Sequence, residues 1–257
     1  MYDFINAACE IAREIGEYQK EQLSKPRHVE FKGEINLVTE VDKACEKRIV
    51  SFLKDRFPSH DIIAEEGGGH NTKSEWCWHV DPLDGTVNYT HRYPLFAVSL
   101  GLAHKGKVVV GVVYEPNLDE LFVAERGGGA LLNDKPIRVS SNKKLIECMF
   151  CTGFPYEKEL MKESLDNFSK MLFHARALRR DGVASTDLCY VACGRFDGFW
   201  ERGLFSWDVA AGSLVIEEAG GRVSSYNGGP LDIMSREVIA TNGHMHDAVL
   251  NILGEKK

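Results

Sequence analysis

The chain has 257 residues, 44% of them hydrophobic, enough to build one large domain or two intimate halves around a sizeable core. A formal net charge of −7 argues against a dominant nucleic-acid surface, because no domain-scale basic excess exists to neutralise a phosphate backbone, and an anionic substrate would need a local cation. Glu10, Arg13, Glu14 and Glu17 interrupt the apolar positions of the N-terminal segment, which does not read as a signal peptide, and no stretch approaches the length of a membrane span. Seven cysteines spread through the chain fit a reducing cytoplasm better than a disulfide framework.

Phe4, Ala8, Ile11, Ile15 and Tyr18 recur at three- and four-residue spacing and predict an amphipathic helix. A second helix is expected from about Asp42 to Phe57, with Ala44, Cys45, Ile49, Phe52 and Leu53 inward and Pro58 ending it; residues 31–37 between the two form a polar turn. Short apolar strands follow at 62–64, 76–80, 95–103, 108–114 and 120–124, an antiparallel sheet covered by the two helices. The second half alternates: strands at 148–152, 175–178, 198–201, 221–224 and 238–241, helices at 158–173, 185–193, 209–219 and 246–253. The chain therefore divides into an α+β half, 1–145, and an α/β half, 146–257, with no linker between them.

Several side chains carry possible chemistry. In Asp81-Pro82-Leu83-Asp84-Gly85-Thr86, two carboxylates three residues apart across a proline-containing turn can face one space, as a hard cation requires. Gly85 and Thr86 would then offer backbone N–H groups to a phosphate. Glu65-Glu66 precede three glycines and by themselves suggest a solvated loop; Asp208 resembles a helix N-cap. Cys148 and Cys151 lack a second pair at zinc-ligand spacing and are expected as buried thiols. His244 and His246 are expected in solvent near a helix start, and Gly127-Gly128-Gly129 as a hairpin turn rather than a phosphate cradle.

Together these blocks resemble the inositol monophosphatase family, part of a lithium-sensitive, magnesium-dependent sugar phosphatase superfamily. The resemblance rests on Asn36-Leu37-Val38-Thr39 leading to Asp42, on Glu65-Glu66-Gly67, on Asp81 to Thr86, and on Trp207 to Gly212 followed by Glu218-Ala219-Gly220-Gly221. The blocks fall in family order, and the five specified positions of Asp81 to Thr86 would arise by chance in about one chain in ten thousand.

The resemblance implies an α+β five-layer α-β-α-β-α sandwich, a homodimer, and hydrolysis of myo-inositol monophosphate by metal-activated water. It implies two or three Mg2+ ions: one held by Glu65, Asp81 and the Leu83 carbonyl, one by Asp81, Asp84 and Asp208, and a weaker one near Glu65 with Glu66 in the same loop. Glu65 and Thr86 would orient and deprotonate the water, Asp42 would polarise Thr86, and Lys32 would approach from a mobile loop. Asp84, Gly85, Thr86, Ala184, Glu201 and Asp208 would line the substrate, with Glu201 and Ala184 meeting the polyol hydroxyls. Arg179-Arg180 depart from the animal pattern; they are expected as strand-edge or interface charges, or as a bias toward a second phosphate. Fructose 1,6-bisphosphate or a 3′-phosphonucleotide remains an alternative substrate, and a non-catalytic regulatory protein an alternative of another class. No nucleic acid or membrane is expected as a partner.

Overall fold

A computed structural model of the chain describes residues 2–25, 29–31 and 37–254; Lys32 lies outside the described residues. Helix α1 (Tyr2–Leu23) buries Ala7, Ala8, Ile11, Ala12 and Ile15, the apolar stripe of its sequence. The strands β1 (Val29–Phe31) and β2 (Leu37–Thr39) pair antiparallel and lead into α2 (Glu40–Arg56). This helix starts two residues before the expected Asp42 because Thr39 caps it. The Thr39 hydroxyl accepts from the Val41 N–H at 3.1 Å, and Asp42, in the first turn, accepts from the Thr39 N–H at 2.8 Å.

Next come β3 (Asp61–Ala64), β4 (Trp76–Asp84), the short α3 (Thr86–Thr90), β5 (Ala97–His104), β6 (Lys107–Glu115), β7 (Glu120–Glu125), β8 (Gly129–Leu132) and β9 (Lys135–Pro136). The seven strands β3 to β9 form one sheet in chain order, antiparallel except for the parallel β3–β4 pair. Strands β8 and β9 escape sequence patterning because β8 is short and mostly half-buried and β9 is two exposed residues. The 127–129 turn joins β7 to β8 as expected, and its Gly127 and Gly129 N–H groups grip the Glu218 carboxylate at 2.8 and 3.0 Å.

The remaining elements are β10 (Met149–Thr152), α4 (Lys158–Leu172), β11 (Ala177–Arg179), α5 (Ala184–Ala192), β12 (Gly198–Arg202), α6 (Ser206–Glu218), β13 (Arg222–Ser224), β14 (Glu237–Thr241) and α7 (His246–Leu253). Their strands form a second sheet, β11-β10-β12-β14-β13, parallel at β11–β10–β12 and antiparallel beyond. Strand β11 begins later than Ala175 because the Ala175 N–H still bonds to Met171 O at the end of α4.

Helices α1 and α2 cover one face of the seven-stranded sheet, α5 and α6 lie between the sheets, and α4 and α7 cover the outer face of the second. This is the expected five-layer order. Three apolar clusters fill the spaces between the layers: Ile11, Ile49 and Trp78 belong to the one under α1 and α2, Leu188, Ala210 and Leu214 to the one that surrounds the central helices and reaches both sheets, and Phe150, Trp200 and Val249 to the one under α4 and α7.

The middle layer is unusually close to the first sheet for a reason visible in residue size. Gly101 and Gly111 face each other across β5 and β6. A Cβ at Gly101 would lie 2.6 Å from Ala210 Cβ, and one at Gly111 2.6 Å from Ala211 O. This glycine pair and the small residues of α6 let backbone meet backbone. Two hydrogen bonds fix the helix start there, Ser99 Oγ to Trp207 O at 3.1 Å and His79 Nδ1 with Ser206 Oγ at 2.8 Å.

His246 departs from its expected place in solvent. It is buried between Ser224 Oγ at 2.8 Å and Thr241 Oγ1 at 3.0 Å, because the first turn of α7 faces β13 and β14. His244 is exposed as expected, all seven cysteines are free, and Cys148 and Cys151 are buried. Among the described residues no helix is long and apolar enough to cross a membrane.

Candidate active site

Strand β4 runs through the acidic motif as far as Asp84, but its register with β5 shifts between Asp81 and Asp84. That irregularity accommodates Pro82, which has no N–H for a ladder, and Asp81, Leu83 and Asp84 all line one cleft. The Leu83 N–H donates to Asp81 Oδ1 at 3.0 Å. Gly85, at φ +94°, then turns the chain into α3. Thr86 opens that helix, and its hydroxyl donates to Asp42 Oδ1 at 2.8 Å, with Leu83 O at 3.2 Å. Asp42 thus divides its oxygens: Oδ2 accepts from Thr39 at the start of α2, and Oδ1 holds Thr86.

Glu65 reaches the same cleft from the loop after β3. The loop is pinned by Glu46, whose buried carboxylate accepts from the Glu66 N–H at 2.6 Å and the Gly68 N–H at 2.7 Å. Sequence analysis missed Glu46, although an acid one turn after Asp42 on an apolar helix face was a usable signal. Glu66 is not brought into the cleft; it lines a separate cavity with Lys43, Glu46 and Lys47.

The second half closes the cleft with Ala184, Glu201 and Asp208. Asp208 is not the N-cap of α6 as expected. Phe205 occupies that position, and Asp208, in the first turn, accepts from the Phe205 N–H at 2.6 Å. This moves the carboxylate inward, over β4. Ser185 was also missed: its N–H and hydroxyl both donate to Asp84 Oδ2, at 2.7 and 2.6 Å. No local pattern marks Ser185, because its partner is 101 residues away. Of the two arginines, Arg179 is exposed at the end of the edge strand β11, whereas Arg180 lines the cleft.

The electrostatics follow from this crowding. Burial raises the Asp81 pKa well above the carboxylate range, and the charges of Glu65, Asp84 and Asp208 raise it further. Asp84 is pushed up to about 6 by burial, against the lowering effect of the Ser185 bonds. Asp208 is raised well above its ordinary value by burial and by Asp84, and the Phe205 N–H opposes the shift. Glu201 rises to about 8 through burial and Asp208, with Arg180 acting the other way. Burial also raises Asp42, partly offset by the donors Thr39 and Thr86.

Mutually repelling buried acids that offer only oxygen are the donor set of a hard divalent cation. Asp81, Asp84 and Asp208 each have one oxygen held by a protein donor, which orients the other and suits a fixed coordination sphere. The residues present therefore fit Mg2+.

Comparison with known proteins gives the same constellation a context. Residues 1–257 match the model of the inositol monophosphatase family. Inositol monophosphatase 2 of Solanum lycopersicum is 44% identical over 265 residues, covering 100% of both chains. The crystal structure of extragenic suppressor protein suhB from Bartonella henselae superposes with a TM-score of 0.94 at 36% identity, over 99% of this chain and 100% of that one. A structure described as an IMPase/NADP phosphatase complexed with Mg2+ and phosphate superposes with a TM-score of 0.87 at 26% identity, over 99% of this chain and 96% of that one. On its full-length family match and its whole-chain likeness to these relatives, this chain belongs to the inositol monophosphatase family.

Proposed function

We propose that the chain is a Mg2+-dependent phosphomonoesterase that hydrolyses myo-inositol monophosphate to inositol and phosphate. One observation carries this reading. Glu65, Asp81, Asp84 and Asp208, from three separate stretches, meet in a cleft that also contains Thr86, and the Thr86 hydroxyl is already committed to Asp42.

Mg2+, when bound, supplies positive charge to the phosphate oxygens and acidifies water. Asp81, Asp84, Asp208, Glu65 and the Leu83 carbonyl would hold it. With its own proton donated to Asp42, the Thr86 oxygen keeps lone pairs to accept a hydrogen bond from the attacking water. Glu65 accepts the second proton and so sets the water's direction. Glu201 accepts a hydrogen bond from a polyol hydroxyl, and Ala184 contributes its backbone at the start of α5. A substrate without that hydroxyl leaves the half-buried Glu201 unpaired, which disfavours it.

Arg180 in the cleft favours a second reading, a substrate carrying a second phosphate. Phosphate release from inositol 1-phosphate, fructose 1,6-bisphosphate and a 3′-phosphonucleotide, each with and without Mg2+, decides between them. Preferred Mg2+-dependent release from inositol 1-phosphate, with a ranking that flattens in Glu201→Gln, is expected. Faster turnover of the bisphosphate selects the second reading, and no Mg2+-dependent release from any of the three overturns both.

A further inference from the structure

Helix α1 ends its buried stripe on an amide. Ala7, Ala8, Ile11, Ala12 and Ile15 are followed, one turn on, by Gln19, which is 0% exposed. Its Nε2 donates to the Pro82 carbonyl at 2.8 Å, inside the Asp81 to Thr86 block. Pro82 presents only an acceptor to it, so the amide nitrogen must face that way. The other half of the amide is unused: Gln19 Oε1 is buried without a hydrogen-bond partner. Buried orphan acceptors are rare and costly, and an apolar residue would avoid this one, so the amide is explained by its donor and not by the packing of the helix.

The Pro82 carbonyl matters through the peptide group it belongs to. The peptide joining Pro82 to Leu83 lies outside both neighbouring ladders, since pairing with β3 ends at Val80 and the register with β5 passes from Asp81 to Asp84. Its carbonyl is held by Gln19 and its N–H by Asp81 Oδ1 at 3.0 Å. A planar trans peptide points these two groups in opposite directions, so a rotation of its plane moves both at once. The Gln19 amide on one side therefore sets where the N–H on the other side holds the Asp81 carboxylate. Gln19 is itself anchored, because the phenol of Tyr89 in α3 donates to its backbone carbonyl at 2.7 Å.

We infer that Gln19, which does not line the cleft, is a positioning residue for it, acting through the Pro82–Leu83 peptide to aim the Asp81 carboxylate at a bound cation. The inference rests on the reading of the cleft as a Mg2+ site. The test titrates the metal-free full chain with Mg2+ by calorimetry and measures phosphate release from inositol 1-phosphate over the same Mg2+ range. Gln19→Met keeps the approximate size of the side chain and removes its donor. It should weaken Mg2+ binding by about 10-fold or more, the scale of a lost outer-shell partner, and raise the Mg2+ concentration for half-maximal release equally, with most of kcat regained at saturating Mg2+. Ile15→Ala, one turn back, loosens the same helix without touching Pro82; it should lower the melting temperature and leave Mg2+ affinity unchanged. If Gln19→Met does not fold, Gln19→Asn, whose amide is drawn back from Pro82 by one methylene, decides on the same affinity. Unchanged Mg2+ affinity in the folded Gln19 variant, or equal weakening in Ile15→Ala, would overturn the role. Absence of Mg2+ binding in the unmodified chain would overturn the reading of the cleft itself and this inference with it.

Discussion

Asp197 and the cleft group, in which the half-buried Asp208 of α6 joins the buried Asp81 and Asp84 of β4, are acids whose surroundings are opposite in kind. Asp197 Oδ1 accepts from Ser140 Oγ and from Asn142 Nδ2 at 2.9 Å, and Oδ2 accepts from the Met149 N–H at 2.8 Å. Every named partner is a donor, and the result is a clamp between the 140–149 segment and the start of β12. The cleft acids have one oxygen each on a protein donor, and otherwise face one another. Burial alone therefore does not mark a functional carboxylate. The sign of the neighbouring groups does, because donors satisfy a charge in place whereas like charges demand a counter-ion.

The contrast should break most sharply at Asp84. Asp84→Asn should lower Mg2+-dependent phosphate release by about 10³-fold, roughly 4 kcal/mol of barrier. The same change should raise the melting temperature of the metal-free protein, because one repelling charge is gone. Near-normal turnover would end the cleft's side of the comparison. Asp197→Ala should do the reverse, costing roughly 3 kcal/mol in urea unfolding as buried donors lose their acceptor, with kcat of the folded fraction retained.

The packing that brings the acids together can be loosened more gently. Gly101→Ala inserts a methyl group against Ala210 Cβ, so denaturant unfolding should register a loss of about 1–3 kcal/mol from overpacking. Activity should fall as well, because α6 carries Asp208. A variant with unchanged stability and activity would show that close approach of α6 is not what positions that carboxylate.

The smallest effect at neutral pH concerns His246. Burial lowers its pKa from 6.5 to about 4, so the folded state keeps it neutral while the unfolded chain takes up a proton first. Its contribution is fully present above pH 6.5 and is lost as pH falls toward about 4. His246→Gln should flatten the melting-temperature profile in that window and leave it unchanged above.

Much of the fold and part of the site were legible beforehand. The 3.6-residue stripe of α1, the alternation of strands and helices after residue 146, and the Asp81 to Thr86 block depend on residues within a few positions of each other. The layer order came through the family resemblance, and the structure reproduces it. Glu46 and Ser185 stayed hidden, as did the burial of His246, and for Arg179-Arg180 the structure divided the two open readings, with Arg179 at the strand edge and Arg180 in the cleft. The Asp208 helix began earlier than local capping preference suggested, which changed where that carboxylate lies.

The sequence by itself determined which residues could carry acid, thiol and donor chemistry and which short segments would be helix or strand, since those properties reside in side chains and in periodicity. The family resemblance supplied the grouping of the acids and the pairing of Thr86 with Asp42, and only the tertiary structure decided what holds each of them in that space. Asp84 depends on Ser185, and Asp208 on a helix seated against Gly101 and Gly111. Such pairings are set by which elements pack together and how closely, and neither depends on distance along the chain.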